Sequence, residues 1–170
     1  WVTYPELVVY SGGVPVFIET DESTEFKITA KQLKEKITPK TKILMLNSPS
    51  NPTGSIYSKD ELLAIGEVLK GTDIIVLSDE MYEKLIYKGK KFTATAEVSP
   101  DMYNRTVTIN GLSKSVAMTG WRFGYVACPN SALAKAMSKL QGQVTSNVNS
   151  MTQYAAIVAL EGEANKDIEM

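Results

Sequence analysis

Residues 42–54 read Lys-Ile-Leu-Met-Leu-Asn-Ser-Pro-Ser-Asn-Pro-Thr-Gly, a short apolar run that ends abruptly in residues typical of turns. An apolar run of this length, bounded by turn signals, predicts a buried strand over residues 42–46. Asparagine, proline and glycine favour the tight backbone conformations of loops, so residues 47–54 are predicted to form the loop after the strand. The same combination of strand and polar loop recurs along the chain.

Apolar runs of similar length lie on both sides of this stretch. We predict four further strands, at residues 14–19, 73–78, 105–109 and 122–128. Strands that alternate with helical segments are the pattern of an α/β fold with a mostly parallel sheet. Two helix starts carry the spacing of a capping box, Thr29 with Gln32 and Ser58 with Glu61, in which each side chain binds the other residue's backbone N–H.

Two segments near the C-terminal end place apolar residues at i, i+3, i+4 and i+7. These sets are Leu133, Ala136, Met137 and Leu140, and Met151, Tyr154, Ala155 and Val158. Residues at this spacing share one face of a helix. We therefore predict two helices, each of which buries its apolar stripe in the core.

The charge and the rare residues exclude several classes of function. With 18 Lys or Arg against 19 Asp or Glu, the formal net charge is −1, so we expect no nucleic-acid partner. The longest apolar runs fall far short of the roughly 20 residues of a spanning helix, and we expect a cytoplasmic protein that does not enter membranes. One cysteine, Cys128, and no histidine argue against a disulfide framework and against a metal site. Acid–base chemistry would have to use Lys, Tyr or carboxylates.

Polar residues follow the predicted strands, where an open α/β sheet binds its ligands. They lie at residues 47–54, 79–82, 110–115 and 119–122. Each segment also has an ordinary structural interpretation as a turn or a solvated strand end. The acidic pair Asp79 and Glu80 after an apolar strand resembles the metal-binding pair of a P-loop ATPase, but the chain lacks the Gly-x-x-x-x-Gly-Lys-Ser/Thr loop that such a site requires.

Taken together, the four segments fit one cofactor, pyridoxal phosphate. This cofactor needs a lysine for the Schiff base, a carboxylate at the pyridine nitrogen, donors to the ring hydroxyl and a cation for the phosphate. The sequence offers one candidate for each role: Lys114 for the Schiff base, Asp79 for the ring nitrogen, Tyr82 and Asn51 for the ring oxygen, and Arg122 for the phosphate.

Three motifs carry a family resemblance. Ser-Pro-Ser-Asn-Pro-Thr-Gly at 48–54, Ser-Asp-Glu-Met-Tyr at 78–82 and Ser-Lys-Ser-Val-Ala-Met-Thr-Gly-Trp-Arg-Phe-Gly-Tyr at 113–125 occur in that order. In order and spacing they resemble the fold-type I pyridoxal-phosphate-dependent aminotransferases, in particular the class I group that includes bacterial aspartate aminotransferases. The resemblance covers all but about the last ten residues.

The resemblance implies a role for each matching residue. Lys114 would carry the cofactor and then move the substrate's α proton, with Asp79 keeping the ring nitrogen cationic. Asn51 and Tyr82 would hold the ring oxygen, and the Asn51–Pro52 peptide bond is expected to be cis. Ser113 and Arg122 would bind the phosphate, and Trp1 would stack on the cofactor ring. Some relatives place a second phosphate-binding serine where this chain has Gly111.

The resemblance also bears on domain organisation. It implies a three-layer αβα sandwich, with residues 1–170 as the central part of the cofactor-binding large domain and with its N-terminal part and the small domain absent. The chain opens on Trp-Val-Thr-Tyr-Pro-Glu and turns polar after the last predicted helix, and we expect both ends to be cut. Arg105 precedes a strand and so lies at the wrong edge to bind a substrate carboxylate. We therefore expect the fragment alone to be inactive and the full-length protein to be a homodimer.

Three functions remain open at this stage. The first is an aminotransferase that acts on an amino acid, with aspartate-like substrates favoured, and a 2-oxo acid. The second is a Cα–Cβ or C–S lyase on the same scaffold, because the early cofactor chemistry is shared. The third is a regulatory domain that senses pyridoxal phosphate without turnover. A substrate-binding arginine downstream would favour an enzyme, and an upstream helix-turn-helix would favour the sensor.

Overall fold

The computed structural model describes residues 1–87 and 89–162. Its helices are α1 (Thr3–Tyr10), α2 (Ala30–Lys36), α3 (Lys59–Leu69), α4 (Pro100–Arg105), α5 (Leu112–Ser115), α6 (Ser131–Val144) and α7 (Ser150–Leu160). Its strands are β1 (Ile43–Asn47), β2 (Ile75–Asp79), β3 (Thr106–Gly111) and β4 (Gly124–Ala127). Short 3₁₀ helices occur at Glu22–Thr24, Thr95–Glu97 and Thr119–Trp121.

The four strands form one mixed sheet in the order β1-β2-β3-β4. β1 pairs with β2 and β2 with β3 in parallel, whereas β4 runs antiparallel to β3. Strand order along the sheet therefore follows strand order along the chain. Helices lie between and around the strands, so the predicted α/β fold with a mostly parallel sheet is confirmed, and four of the five predicted strands are present.

The prediction of a strand at residues 14–19 is wrong. These residues belong to no strand, and the sheet contains no pairing for them. Their apolar side chains, Val14, Val16 and Phe17 among them, are exposed. Apolar residues and β-branching favour an extended backbone, but a strand also needs a neighbour that satisfies its N–H and C=O groups. In the part of the chain that the structure describes, no strand lies beside this segment.

Both predicted capping boxes are present. At the start of α2, Thr29 Oγ1 accepts from the Gln32 backbone N–H at 3.2 Å, and the Gln32 side chain accepts from the Thr29 N–H at 2.9 Å. At the start of α3, Ser58 and Glu61 exchange the same pair of hydrogen bonds. These contacts satisfy N–H groups that have no partner inside a helix, and so they fix where α2 and α3 begin.

The main core lies on one face of the sheet. Leu44 and Leu46 of β1 are buried there with Val76 of β2, and Leu44 is the register partner of Val76. The covering helices α2, α3 and α4 contribute Leu33, Leu62, Ile65, Leu69 and Met102. Full burial of one such side chain stabilises the fold by roughly 1.5–3 kcal/mol, so this face holds β1 and β2 firmly.

The prediction that α7 buries the apolar stripe containing Met151 and Tyr154 is wrong. Met151 is 74% exposed and Tyr154 is 75% exposed, whereas Thr152 and Ala156 on another face of the helix are buried. That smaller face packs against a second cluster, which contains Leu112. Small side chains allow the helix to approach this cluster closely, and helical spacing alone does not reveal which face does so.

The stripe predicted for α6 is also not buried in this structure. α6 begins at an Asn130 cap, whose Oδ1 accepts from the backbone N–H groups of Ala132 and Leu133. None of its residues is buried, and Leu140 is 65% exposed.

Within the described residues, none of the helices combines the length and the apolar character needed to cross a bilayer.

Candidate active site

The topology brings the ends of four segments to one edge of the sheet. β1 and β2 end at the register partners Asn47 and Asp79. β3 is parallel to β2, so Lys114 follows β3 beyond the same edge. Because β4 is antiparallel to β3, Arg122 enters β4 from that edge as well. The sheet thus delivers a carboxylate, an amine and a guanidinium to the edge at which open α/β sheets bind ligands.

Both oxygens of the Asp79 carboxylate accept hydrogen bonds. The hydroxyl of Tyr4 donates to Oδ2 at 2.5 Å, and the backbone N–H of Met81 donates to Oδ1 at 3.2 Å. Burial of Tyr4, together with its hydrogen bond to Asp79, raises the pKa of the Tyr4 phenol, which therefore remains a donor at neutral pH. Tyr4 was not among the residues predicted from the sequence.

The loop after β1 meets the loop after β2 through two side chains. Asn51 Nδ2 donates to the hydroxyl of Tyr82 at 3.3 Å, and both residues are half-buried. Lys114 Nζ lies 5.7 Å from the centroid of the Tyr82 ring, within the range of a cation–π contact. The structure therefore brings together three of the predicted site residues, Asn51, Tyr82 and Lys114.

Asn47 joins this group to Asp79. Its Nδ2 donates to the carbonyl oxygen of Asp79 at 3.1 Å, and its Oδ1 accepts from the backbone N–H of Asn51 at 2.8 Å. One amide thus fixes the loops after β1 and β2 relative to each other. Asn47 was predicted only as part of a turn, because sequence spacing does not show a contact between two separate loops.

The Asn51–Pro52 peptide bond is cis, as predicted, and the Ser48–Pro49 bond is also cis. The two bonds lie in the loop that presents Asn51 to Tyr82. This loop is further held by the backbone N–H of Asn51, which donates to Asn47. The placement of the Asn51 amide is thus set by its own loop and by the end of β1.

Ser113 and Arg122 are linked through Thr119. Thr119 Oγ1 donates to the carbonyl oxygen of Ser113 at 2.8 Å, and Arg122 Nη1 donates to the carbonyl oxygen of Thr119 at 2.9 Å. Arg122 is exposed and adopts a left-handed backbone conformation, with φ of 55°. This conformation is uncommon for a residue with a side chain and is concentrated at functional sites. Within residues 1–87 and 89–162, the hydrogen bond to Thr119 uses one donor of the Arg122 guanidinium and leaves others for an anion.

Trp1 lies beside the turn that begins α1. Its carbonyl oxygen accepts from the backbone N–H of Tyr4 at 3.2 Å, and its side chain is 63% exposed. Trp1 precedes Tyr4 by three positions, and Tyr4 binds Asp79 directly. Its role as a stacking residue stays a prediction.

Gly111 stands where some relatives of the resembled family have a serine. A Cβ at this position would lie 2.8 Å from the carbonyl oxygen of Phe123 and 3.1 Å from the Cα of Gly124. Both atoms are backbone, so a side chain could be accommodated only if β4 moved. Glycine at this position therefore permits the close approach of β3 and β4.

The side chains at this edge fit pyridoxal phosphate by their chemistry. The cofactor's aldehyde, pyridine nitrogen, ring hydroxyl and phosphate require an amine, a carboxylate, neutral donors and a cation. Lys114, Asp79, the Asn51–Tyr82 pair and Arg122 offer these groups. Tyr82 contacts both Asn51 and Lys114, and Asn47 links Asp79 to Asn51. The strand ends of this α/β sheet thus carry the chemical groups that such a cofactor requires.

The family model described as "Aminotransferase class I and II" matches residues 1–170. The chain belongs to this family. Aspartate aminotransferase of Geobacillus stearothermophilus is 54% identical over 162 residues, which are 95% of this chain and 41% of that protein. Aspartate aminotransferase of Bacillus subtilis (strain 168) is 50% identical and aligns with 100% of this chain and 43% of its own length.

Solved structures give the same result. The aromatic aminotransferase from Pyrococcus horikoshii OT3 superposes with a TM-score of 0.93 at 40% identity and covers 99% of this chain and 45% of that one. The aspartate aminotransferase from Rhizobium meliloti superposes with a TM-score of 0.92 at 42% identity, over 99% and 43% of the respective chains. The chain thus spans about two-fifths of the length of the curated relatives named above.

Proposed function

We propose that the protein to which this chain contributes is a pyridoxal-phosphate-dependent aminotransferase. It would move an amino group between an aspartate-like amino acid and a 2-oxo acid, and residues 1–170 would be the central part of its cofactor-binding large domain. The observation that carries the proposal is the position of Lys114 Nζ, 5.7 Å from the ring of Tyr82, whose hydroxyl accepts from Asn51. Asp79 is the last residue of β2, which pairs with β3, the strand that Lys114 follows.

Pyridoxal phosphate, when bound, supplies an electron-accepting ring that stabilises the charge left on a substrate's α-carbon after proton loss. The residues of this chain would bind and orient it. The Lys114 amine would hold the aldehyde carbon, and Asp79 would accept a hydrogen bond from the protonated ring nitrogen. Tyr82 and Asn51 would donate to the ring oxygen. The free donors of Arg122 and the hydroxyl of Ser113 would bind the phosphate.

Lys114 is also the best candidate to move the substrate's α proton. These 170 residues contain no histidine, so a neutral-pH base contributed by this chain would be of another residue type. Lys114 is exposed on the short helix α5, and its amine can reach a molecule bound at the edge of the sheet. Once freed from the cofactor by an incoming amine, it would accept the proton from the substrate's α-carbon and deliver it to the cofactor carbon that had held the lysine.

The relatives reported above bear the names of aminotransferases, and this favours amino-group transfer over the lyase and sensor alternatives. The preference for an aspartate-like substrate rests on the names of three of these relatives. We further propose that the whole protein is a cytoplasmic homodimer. Gel filtration of that protein should give the mass of two chains at micromolar concentration.

The decisive experiment uses the protein expressed from its complete reading frame, here called the whole protein. Pyridoxal phosphate is added, the adduct is reduced with borohydride, and the labelled peptide is mapped. We expect the label on Lys114, no label in a Lys114→Ala variant and normal labelling in a control variant, Lys135→Ala, altered on α6. A label on another lysine in the unaltered protein would refute the assignment.

Substrate assays then distinguish the reaction types. An aminotransferase should consume aspartate only when a 2-oxo acid is present, and should form one new amino acid for each aspartate used. Consumption of the amino acid without a 2-oxo acid would instead indicate a lyase. Cofactor binding at Lys114 with no turnover of any amino acid would indicate the sensor.

A further inference from the structure

We propose that Tyr4 is a positioning residue, which holds the carboxylate of Asp79 in the orientation that a cationic ring N–H requires. This inference rests on the proposed function, because it concerns the residue assigned to the pyridine nitrogen. Tyr4 lies 75 positions before Asp79 in the chain and donates its hydroxyl to Oδ2 at 2.5 Å.

The rest of Asp79 is already fixed by the fold. It is the last residue of β2, and its carbonyl oxygen accepts from Asn47 Nδ2 and from the backbone N–H of Ser48, each at 3.1 Å. Its Oδ1 accepts from Met81 N–H. The remaining freedom is rotation of the carboxylate about its own axis, and a second donor on the other oxygen restricts that rotation.

The arrangement leaves capacity for a ligand. An ionised carboxylate has about four acceptor positions, and the hydrogen bonds from Tyr4 and Met81 occupy two of them. Tyr4 itself cannot compete as an acid at neutral pH, because its burial and the adjacent Asp79 raise the pKa of its phenol. Tyr4 can therefore orient the Asp79 carboxylate and still leave acceptor positions on it for a ligand.

Tyr4 also connects α1 to the sheet. None of the residues of α1 is buried, and Tyr4 is one of its half-buried members. In the described part of the chain, the Tyr4 hydroxyl joins α1 to the sheet by its hydrogen bond to Asp79 at the end of β2. The segment that carries Trp1 is therefore held near the site by the contact that orients Asp79.

The test compares Tyr4→Phe with Tyr154→Phe in the whole protein. Tyr154 is 75% exposed on α7, so its substitution controls for the loss of a phenol hydroxyl. We expect the dissociation constant of pyridoxal phosphate, measured by fluorescence titration of the cofactor-free protein, to rise about tenfold in Tyr4→Phe. We expect a change of less than twofold in Tyr154→Phe, and thermal unfolding of the cofactor-free proteins should differ little.

A double-mutant cycle with Asp79→Asn separates positioning from general damage. If Tyr4 acts through Asp79, Tyr4→Phe should add little to the loss of cofactor affinity in the Asp79→Asn background. Full additivity of the two effects, or an affinity of Tyr4→Phe within twofold of the unaltered protein, would overturn the proposal. If Tyr4→Phe does not fold, Tyr4→Gln, which keeps a donor, should bind the cofactor more tightly than Tyr4→Leu, and equal binding would overturn it.

Failure of this inference is distinguishable from failure of the proposed function. Borohydride labelling at Lys114 does not depend on Tyr4 and tests the proposed function alone. A label at Lys114 together with unchanged affinity in Tyr4→Phe would remove only the role of Tyr4. The absence of a label at Lys114 in the unaltered protein would remove the proposed function itself.

Discussion

Asn47 and Asp79 are register partners at the ends of β1 and β2, and the Asn47 side-chain amide donates to the Asp79 carbonyl oxygen at 3.1 Å. The same amide accepts from the Asn51 backbone N–H at 2.8 Å. Two of the predicted cofactor contacts, Asp79 and Asn51, are therefore held by one side chain that has no predicted contact with the cofactor.

The first prediction concerns this shared support. Asn47→Ala should destabilise the whole protein by roughly 1–3 kcal/mol, because it removes one donor and one acceptor from a partly buried network. It should also weaken pyridoxal phosphate binding, since Asn51 loses its anchor. Asn47→Asp keeps the acceptor for Asn51 and should retain more affinity than Asn47→Ala. Denaturant unfolding and cofactor titration measure the two effects, and equal affinities of the two variants would contradict the prediction.

The second prediction concerns Gly111. Gly111→Ser should destabilise the protein by roughly 1–3 kcal/mol, because its Cβ meets backbone atoms of Phe123 and Gly124, where β4 begins. It should not tighten cofactor binding, since the sheet must shift to admit it. Gly142→Ser is the control, because a Cβ there meets nothing within 4 Å. Tighter binding by Gly111→Ser at unchanged stability would show that the close approach is not limiting.

The third prediction concerns Arg105, which has a structural role. Its guanidinium binds Asp101 through two hydrogen bonds of 2.9 Å and the carbonyl oxygens of Thr72 and Ile74 at 3.0 and 2.9 Å. The Arg105 side chain is 12% exposed, and its hydrogen bond lowers the pKa of the Asp101 carboxyl.

Arg105→Lys cannot reproduce this fork of donors and should lower the free energy of unfolding by roughly 1–3 kcal/mol. Because Arg105 lies before β3, at the edge opposite Lys114, the affinity for pyridoxal phosphate should stay unchanged. Denaturant unfolding and cofactor titration of the same samples measure both quantities. A large loss of affinity at unchanged stability would place Arg105 in the site after all.

The fourth prediction concerns pH. Glu80 is buried beside Ser78 and Thr95, and burial raises the pKa of its carboxyl, although hydrogen bonds from Thr95 and Ser78 oppose the shift. A raised folded-state pKa means that its contribution to stability is full below the ordinary value of 4.5 and declines as pH rises through the folded-state pKa.

Glu80→Gln keeps the oxygen that accepts from Thr95 N–H and Ser78 Oγ–H but carries no charge. The stability of this variant relative to the unaltered protein should therefore increase between pH 5 and pH 8. Urea unfolding at both values measures the change, and Glu35→Gln on the exposed side of α2 is the control. A stability difference that does not grow with pH would contradict the assignment.

The parts of the fold that depend on local signals could be predicted from the sequence. The two capping boxes follow from residue types three positions apart, and β1 to β4 follow from short apolar runs with polar ends. Residues 14–19 carry the same local signal, yet a strand requires a partner that no local pattern specifies. The face by which α7 packs also could not be predicted, because Thr152 and Ala156 are less apolar than the exposed Met151.

The candidate site shows the same division. Asp79 and Lys114 could be proposed because ligands bind beyond the ends of parallel strands, and both residues lie there. Tyr4 and Asn47 could not, since each acts through a contact between segments that are far apart or in separate loops. A tyrosine near Trp1 carries no mark in the sequence that distinguishes it from the other seven.

The sheet order β1-β2-β3-β4 also has a consequence for biosynthesis. Each strand that leaves the ribosome can dock beside the one made just before it, so no established pairing has to open to admit a later strand. Asn51, Asp79 and Lys114 are then synthesised in turn. Arg122 follows last, just before β4. A nascent chain that ends after α5 contains Lys114, the lysine proposed to bind the cofactor, but lacks Arg122, the residue proposed to bind its phosphate.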